Sequence, residues 1–129
     1  VTVRNARLDA IETAVGTSAV LKIRTGSVPA NCATADSGTV LASLTLPSDW
    51  MSAASSGSKA MTGTWSDSSA DNAGTAAHWR LYASDGTTCH AQGTVTATGG
   101  GGDMTVDNTV FAAAQAFSIT SFSITDGNA

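Results

Sequence analysis

The first part of the chain repeats its apolar residues with the period of an α-helix. The repeated positions are Leu8, Ile11 and Val15, and Ala10 and Ala14 widen the same stripe. Thr2 is placed to cap the N-terminus, and Gly16 is a residue that commonly ends a helix. The pattern therefore predicts a helix over residues 2–15 whose stripe faces the interior.

Arg4 and Arg7 lie on the apolar side of this predicted helix, near the stripe that should be buried. Long basic side chains in such positions pack their aliphatic part on apolar surface and carry their charge outward. We therefore expect both guanidinium groups to reach solvent or to meet an acidic side chain of a partner.

Beyond Gly16 the apolar positions alternate with the period that is typical of β-strands. Strands are predicted at 19–24, 39–46, 50–54, 58–65, 75–83, 87–98, 103–106 and 115–125. About seven or eight short strands in regular succession indicate a small antiparallel β-sandwich or jelly roll. Residues 1–129 are expected to form one domain, with the helix at 1–16 and the sandwich at 17–129.

The strongest hairpin signal surrounds the turn Ser84-Asp85-Gly86. A three-residue loop with Gly86 in the left-handed conformation would pair Leu81 with Cys89 and Trp79 with Ala91, which keeps the apolar residues on one face. We predict this register. The face predicted to be exposed carries His78, Arg80, Tyr82, Thr88, His90 and Gln92.

The last predicted strand changes the phase of its apolar residues. Phe117 and Ile119 occupy odd positions, whereas Phe122 and Ile124 occupy even ones. This change indicates a β-bulge near Ser121, or a second half that faces something other than its own core. The predicted partner interface consists of Arg4, Arg7, Phe122 and Ile124.

The composition describes a surface of low charge. Ala, Gly, Ser and Thr supply 71 of the 129 residues, whereas Asp, Glu, Lys and Arg supply 16, with a net charge of −4. Direct binding to nucleic acid requires a basic footprint that this chain lacks. No apolar run approaches the roughly 18 residues of a membrane span, and no signal-peptide pattern opens the chain, so a soluble protein is expected.

The residue types that carry catalysis are scattered. Glu12, the single glutamate, lies on the polar side of the predicted helix and is expected to be solvated, and His78 and His90 lack a third metal ligand nearby. Residues 99–102 form a glycine run that lacks the strand–glycine–helix context of a nucleotide site. We predict a protein without catalytic residues, metal or cofactor.

Cys32 and Cys89 are the two cysteines of the chain. They could form a disulfide, or each could be a small buried thiol in a reducing compartment. The sequence leaves both interpretations open.

Three long segments of the chain carry a family resemblance, and they read VRNARLDAIETAVGTSAVLKIRTGSVPANCATADSGTVLASLTLPSDWM, GTAAHWRLYASDGTTCHAQGTVTATGGGGDM and FSITSFSITDGNA. These segments resemble small virion-associated structural proteins of tailed bacteriophages. The resemblance covers nearly the whole chain and implies a component of the virion, assembled in the bacterial cytoplasm. It carries over no catalytic residue.

Within that resemblance, the low charge and small side chains favour a capsid decoration or cement protein. Such a protein would contact the major capsid protein or other virion proteins and would form a homo-oligomer. One alternative is a neck, collar or tail-fibre-associated protein. Another is a host-surface or glycan-binding module, which requires that Trp50 and Trp65 be exposed together with the row His78, Arg80, Tyr82 and His90.

Overall fold

The computed structural model describes residues 1–119 and 121–127, and this part of the chain contains one helix and eleven short strands. The helix α1 spans Thr2–Val15. The strands are β1 (Val20–Arg24), β2 (Val40–Thr45), β3 (Ser58–Ala60), β4 (Trp65–Asp67), β5 (Gly74–Thr75), β6 (His78–Tyr82), β7 (Cys89–Ala97), β8 (Met104–Val106), β9 (Val110–Phe111), β10 (Phe117–Ile119) and β11 (Ser123–Thr125). The predicted mainly β fold with one N-terminal helix is confirmed.

Five strands form the main sheet, in the order β2-β1-β6-β7-β8. Its pairs are antiparallel except for β7 and β8, which are parallel. Three two-stranded ladders, β10-β4, β11-β3 and β5-β9, complete the structure. The main sheet and the ladders together bury one apolar core, to which β1 contributes Leu21 and Ile23 and the ladders contribute Trp65 and Phe111.

The helix has the predicted bounds but a narrower buried face. Leu8 and Val15 are buried and Ile11 is half-buried, whereas Ala10 and Ala14 are exposed, so they do not widen the stripe. The predicted Thr2 cap is also wrong, because Val1 precedes the first helical residue and no side chain caps it. Gly16 ends the helix as predicted, with φ +88° and its N–H donating to Glu12 O at 2.8 Å.

The predicted hairpin forms, but its register is displaced by two residues. Leu81 pairs with Ala91 rather than Cys89, and Trp79 pairs with Gly93. The turn has four residues instead of three, which accounts for one of the two, and the Asp85 carboxylate stabilises it by accepting the N–H groups of Thr87 and Thr88. Gly86 has the predicted left-handed conformation, with φ +70°.

A β-bulge in this hairpin moves Cys89 to the opposite face from the one predicted. The pairing shifts between Leu81 and Tyr82, so that Tyr82 lies opposite Cys89 and His90 becomes the extra residue. An extra residue reverses the alternation of a strand. Cys89 therefore shares the outer face of the sheet with Tyr82.

The glycine run allows an unusually short connection between parallel strands. Such strands usually need a crossover of about a dozen residues or more, yet residues 98–103 alone lead from β7 to β8. A Cβ at Gly100 would stand 2.7 Å from Thr96 Cβ, and one at Gly102 would stand 2.9 Å from Thr96 Cγ2. The run thus lets the chain turn back closely over β7.

Two strand predictions in the middle of the chain are wrong. Residues 50–54 form no strand, and Met51 makes only an isolated bridge to Met61. The segment predicted as one strand over 58–65 is divided into β3 and β4. The indole of Trp50 is fully buried and donates to Gly16 O at 2.9 Å, so a side chain helps to fix this segment beside two backbone hydrogen bonds, Ser52 N–H to Ala60 O and Thr62 N–H to Trp50 O.

The phase change in the last segment has an intramolecular explanation. β10 pairs with β4, whereas β11 pairs with β3, so the chain changes its neighbour between the two strands. Phe122 is only 8% exposed, and its ring centroid lies 5.3 Å from that of Trp65 and 5.7 Å from that of Trp79. The prediction that Phe122 faces a partner is therefore wrong, because Ile119 of the first half and Phe122 of the second half are both buried in the same core.

Candidate functional site

The outer face of the main sheet is covered by a long loop. Residues 25–39, here called the strap loop, connect β1 to β2 and lie over the polar side of β6. His78, Arg80 and Tyr82 are 0%, 1% and 1% exposed, so the prediction that they are exposed is wrong. A regular alternation shows which residues share a face but not whether that face is covered.

Asp36 of the strap loop is the centre of an ionic cluster, here called the strap cluster. Its carboxylate lies 2.8 Å from Arg24 Nη2 and 2.5 Å from Arg80 Nη1, and it accepts the Tyr82 hydroxyl at 2.7 Å. Partial burial acts to raise the pKa of Asp36, but the hydrogen bonds from Tyr82 and Arg80 and the two positive charges outweigh it and hold that pKa below 3.8.

The backbone of the strap loop is bound by side chains of the sheet. Arg80 Nη2 donates to Asn31 O at 2.9 Å and Thr34 O at 3.0 Å. His78 Nδ1 lies 2.8 Å from Gly26 O. Burial lowers the pKa of His78 despite that bond, so the imidazole is neutral and Nδ1 is its donor.

A disulfide fastens the same loop to β7. Cys32 and Cys89 are bonded, with their Cα atoms 5.3 Å apart, which decides between the two interpretations that the sequence left open. The bond forms because the bulge at His90 turns Cys89 to the outer face. At the base of the loop, Gly38 has φ +70°, and a Cβ there would stand 1.9 Å from Thr25 O.

A second ionic cluster, here called the helix cluster, fastens α1 to the ladders. Lys59 is 2% exposed, and its ammonium lies 2.8 Å from both Asp9 and Glu12 and donates to Ser52 O at 2.7 Å. Glu12 Oε1 also accepts the Met51 N–H at 3.2 Å. The prediction that Glu12 is solvated is therefore wrong, and the carboxylate has a structural role.

The two arginines of the predicted interface meet an acid of their own chain. Arg7 Nε lies 3.2 Å from an Asp126 carboxylate oxygen, and Arg4 Nη1 donates to Asp126 O at 3.5 Å. Arg4 is half-buried beside Gly57, whereas the Arg7 side chain is 67% exposed. The expected acid is thus intramolecular, and of the two side chains Arg7 is the more accessible to a partner.

Two adjoining grooves lie beside the helix and β11. The helix groove, about 270 Å³, is lined by Arg7, Leu8 and Ile11 of α1 and by residues 124–127. The edge groove, about 380 Å³, lies between residues 90–92 of β7 and residues 122–125, and it shares Ile11, Ile124 and Thr125 with the helix groove. The structure therefore brings Arg7, Ile124 and Phe122 to one side of the molecule. They line grooves there and do not form a protruding surface.

The aromatic platform required for the glycan alternative does not form. Trp50 and Trp65 are 0% and 1% exposed, and each indole N–H donates to a backbone oxygen. Of the polar row that should join them, His90 is exposed while its other members lie beneath the strap loop. That set of residues cannot bind a sugar.

Titratable side chains do not assemble into a metal cage in the part of the chain that the structure describes. No group of three or more His, Cys, Asp or Glu side chains there is placed to hold a metal ion.

In residues 1–119 and 121–127 the one helix, α1, lacks the length and apolar character needed to cross a membrane.

The chain was compared with models of protein families, with curated proteins and with solved structures. None of the three comparisons finds a match.

Proposed function

We propose that this chain is a structural protein of a tailed-bacteriophage virion, and that it decorates and stabilises the capsid through protein–protein contacts. The observation that carries the proposal is the fastening of the strap loop, by a disulfide and an ionic cluster, over the outer face of the main sheet. A protein that reinforces a shell must keep its own shape under load, and covalent and ionic fastening of a long loop provides such rigidity.

The surface supports the same proposal. Most exposed positions carry small uncharged side chains, which allow close approach of another protein with little desolvation of charge. The resemblance of three long segments to virion-associated proteins points to the same class. The partner on this proposal is the major capsid protein, and the chain acts as a symmetric oligomer.

The start of the helix is the proposed contact with the shell. Val1 and Val3 are each 70% exposed, and Arg7 lies beside them with a 67% exposed side chain. Exposed apolar residues next to an accessible charge are typical of the edge of an interface. The predicted role of Arg7 and Ile124 in partner binding is retained as part of this proposal.

The copy number in purified virions tests the proposal. Quantitative mass spectrometry should find this chain in a number comparable to that of the major capsid protein. A few copies per particle would instead favour the neck, collar or tail-fibre alternative. Absence from purified particles would refute both.

The contact surface has a matched test. Val3→Asp should weaken rebinding to particles stripped of the protein, because it places a charge in the proposed interface. Val110→Asp is the control, since Val110 is 58% exposed and belongs to β9 rather than to the helix. Equal rebinding by both variants would exclude the helix start as the contact.

A further inference from the structure

The edge groove contains a buried hydrogen-bond donor that has no partner. Trp79 forms its floor and is 6% exposed, and its indole Nε1 donates to no group in the described part of the chain. The indoles of Trp50 and Trp65 both have backbone acceptors, at 2.9 Å and 3.1 Å. Buried donors are nearly always paired in native proteins, so the exception calls for an acceptor from outside.

An acceptor group converges on the same point. A Cβ at Gly93 would lie 2.8 Å from Trp79 Nε1 and 2.8 Å from Asp103 Oδ2, so both polar groups pack against the bare backbone of Gly93 and lie close to each other. Asp103 Oδ2 accepts the N–H and hydroxyl of Thr94, at 2.9 Å and 3.0 Å. The other oxygen, Oδ1, accepts no hydrogen bond from the described residues and is available to a ligand.

The rest of the groove is an apolar wall with a polar rim. Phe122, Ile124 and Ile11 supply the wall, and the chain at Ser123 and Thr125 forms part of the rim. The cavity of about 380 Å³ falls within the usual size of small-ligand sites. Hydrogen bonds from Thr94 lower the pKa of Asp103, so an ionised carboxylate faces the groove and disfavours an anionic ligand.

We propose that the edge groove binds a neutral saccharide unit. A sugar hydroxyl can accept from the Trp79 N–H while it or its neighbour donates to Asp103, because each hydroxyl is both donor and acceptor. The C–H face of the ring would lie on Phe122 and Ile124, and the remaining hydroxyls would meet the rim. This site does not require the particle proposal, although Ile124 belongs to both, and it uses neither Trp50 nor Trp65 of the excluded platform.

The three indole N–H groups give the test a built-in control. The ¹⁵N-labelled protein is titrated with methyl glycosides of glucose, galactose, mannose and N-acetylglucosamine. The Trp79 indole signal should shift with at least one glycoside, while the Trp50 and Trp65 signals stay in place. No shift of Trp79 at millimolar glycoside overturns the proposal, and so does an equal shift of all three signals, which indicates non-specific binding.

Two variants reduce the groove without removing its floor. Ala91→Leu and Ile124→Phe each place a larger side chain in the edge groove and should weaken glycoside binding about tenfold or more. Ala112→Leu is the control, because Ala112 is exposed away from the groove. Unchanged affinity in a folded groove variant contradicts the proposal. A short uncharged peptide that shifts Trp79 when every glycoside fails would assign the groove to peptide and overturn the saccharide.

Discussion

The strap cluster and the helix cluster fasten different segments with opposite charge balances. The strap cluster joins one carboxylate, Asp36, to two guanidinium groups, whereas the helix cluster joins one ammonium group, Lys59, to two carboxylates. In both clusters the cations are the buried members. The side chains of Arg24, Arg80 and Lys59 are 8%, 2% and 2% exposed, whereas those of Asp36, Asp9 and Glu12 are 38%, 47% and 21% exposed.

This difference determines how each cluster can fail. Asp36 is the single anion for two buried cations, so its loss leaves both uncompensated in a poorly solvated place. Asp9 and Glu12 share one cation, so the loss of either leaves the other in place. The strap cluster therefore depends on one carboxylate, whereas the helix cluster keeps a second carboxylate when one is lost. The disulfide provides a further attachment, but only for the strap loop.

Removal of the disulfide should have the largest effect on stability. Cys32 and Cys89 are 57 positions apart, and a loop of that length is expected to contribute about 4 kcal/mol by restricting the unfolded chain. The double variant Cys32→Ser, Cys89→Ser should lose about that amount in urea unfolding but still fold, because the Asp36 bonds remain. Two free thiols in the oxidised native protein, detected by alkylation and mass spectrometry, would contradict the bond itself.

Replacement of Asp36 should have the next largest effect. Asp36→Asn removes the single anion of the strap cluster and should lower the free energy of unfolding by about 3 kcal/mol, in the lower part of the range for broken buried pairs because water reaches Asp36. Asp49→Asn is the matched control, since Asp49 is exposed. Urea titrations with equal losses for both variants would show that the strap cluster adds nothing to stability.

The architecture was predictable where alternation and burial agree. The apolar stripe gave the bounds of α1, and the turn around Gly86 gave the hairpin, because these signals are local. The register was missed by two residues, one from the longer turn that the Asp85 carboxylate stabilises and one from the bulge at His90. The bulge at His90 depends on long-range packing, so the outward turn of Cys89 could not be derived from spacing.

The two ionic clusters were missed for different reasons. Lys59 lies on the same face as Met61 and Trp65 in the predicted strand, and this inward position was a usable signal of a buried charge. Asp36 carries no comparable signal, because it lies in an irregular loop whose path is fixed only by the sheet beneath it. The saccharide groove is assembled from distant segments, with Trp79, Asp103 and Phe122 meeting only in the folded chain.

Acid should weaken the attachment of the strap loop in two steps. The folded-state pKa of His78 lies below 6.5, so its contribution to stability is complete above that value and is lost as pH falls below it. The folded-state pKa of Asp36 lies below 3.8, so its contribution is lost in a lower range as the carboxylate is protonated.

The urea midpoint, measured between about pH 7 and pH 5, separates the first of these steps. Wild type should decline over this range, and His78→Gln should decline less, because glutamine can still donate to Gly26 O without taking up a proton. Asp36→Asn should leave this decline in place and reduce the later one. Identical pH profiles for wild type and His78→Gln would show that His78 does not couple the strap loop to pH.

Replacement of Glu12 should have the smallest effect on stability, because Asp9 is a second carboxylate in the helix cluster. Glu12→Gln leaves Asp9 beside Lys59, and the new amide oxygen can still accept the Met51 N–H, so a loss of about 0.5–1 kcal/mol is expected. Lys59→Met provides the internal comparison, since it leaves two carboxylates and Ser52 O without their shared donor and should cost several times as much. Equal losses for Glu12→Gln and Asp36→Asn in parallel urea titrations would contradict this expectation. They would show that Glu12 is as necessary to the helix cluster as Asp36 is to the strap cluster, although Asp9 remains beside Lys59.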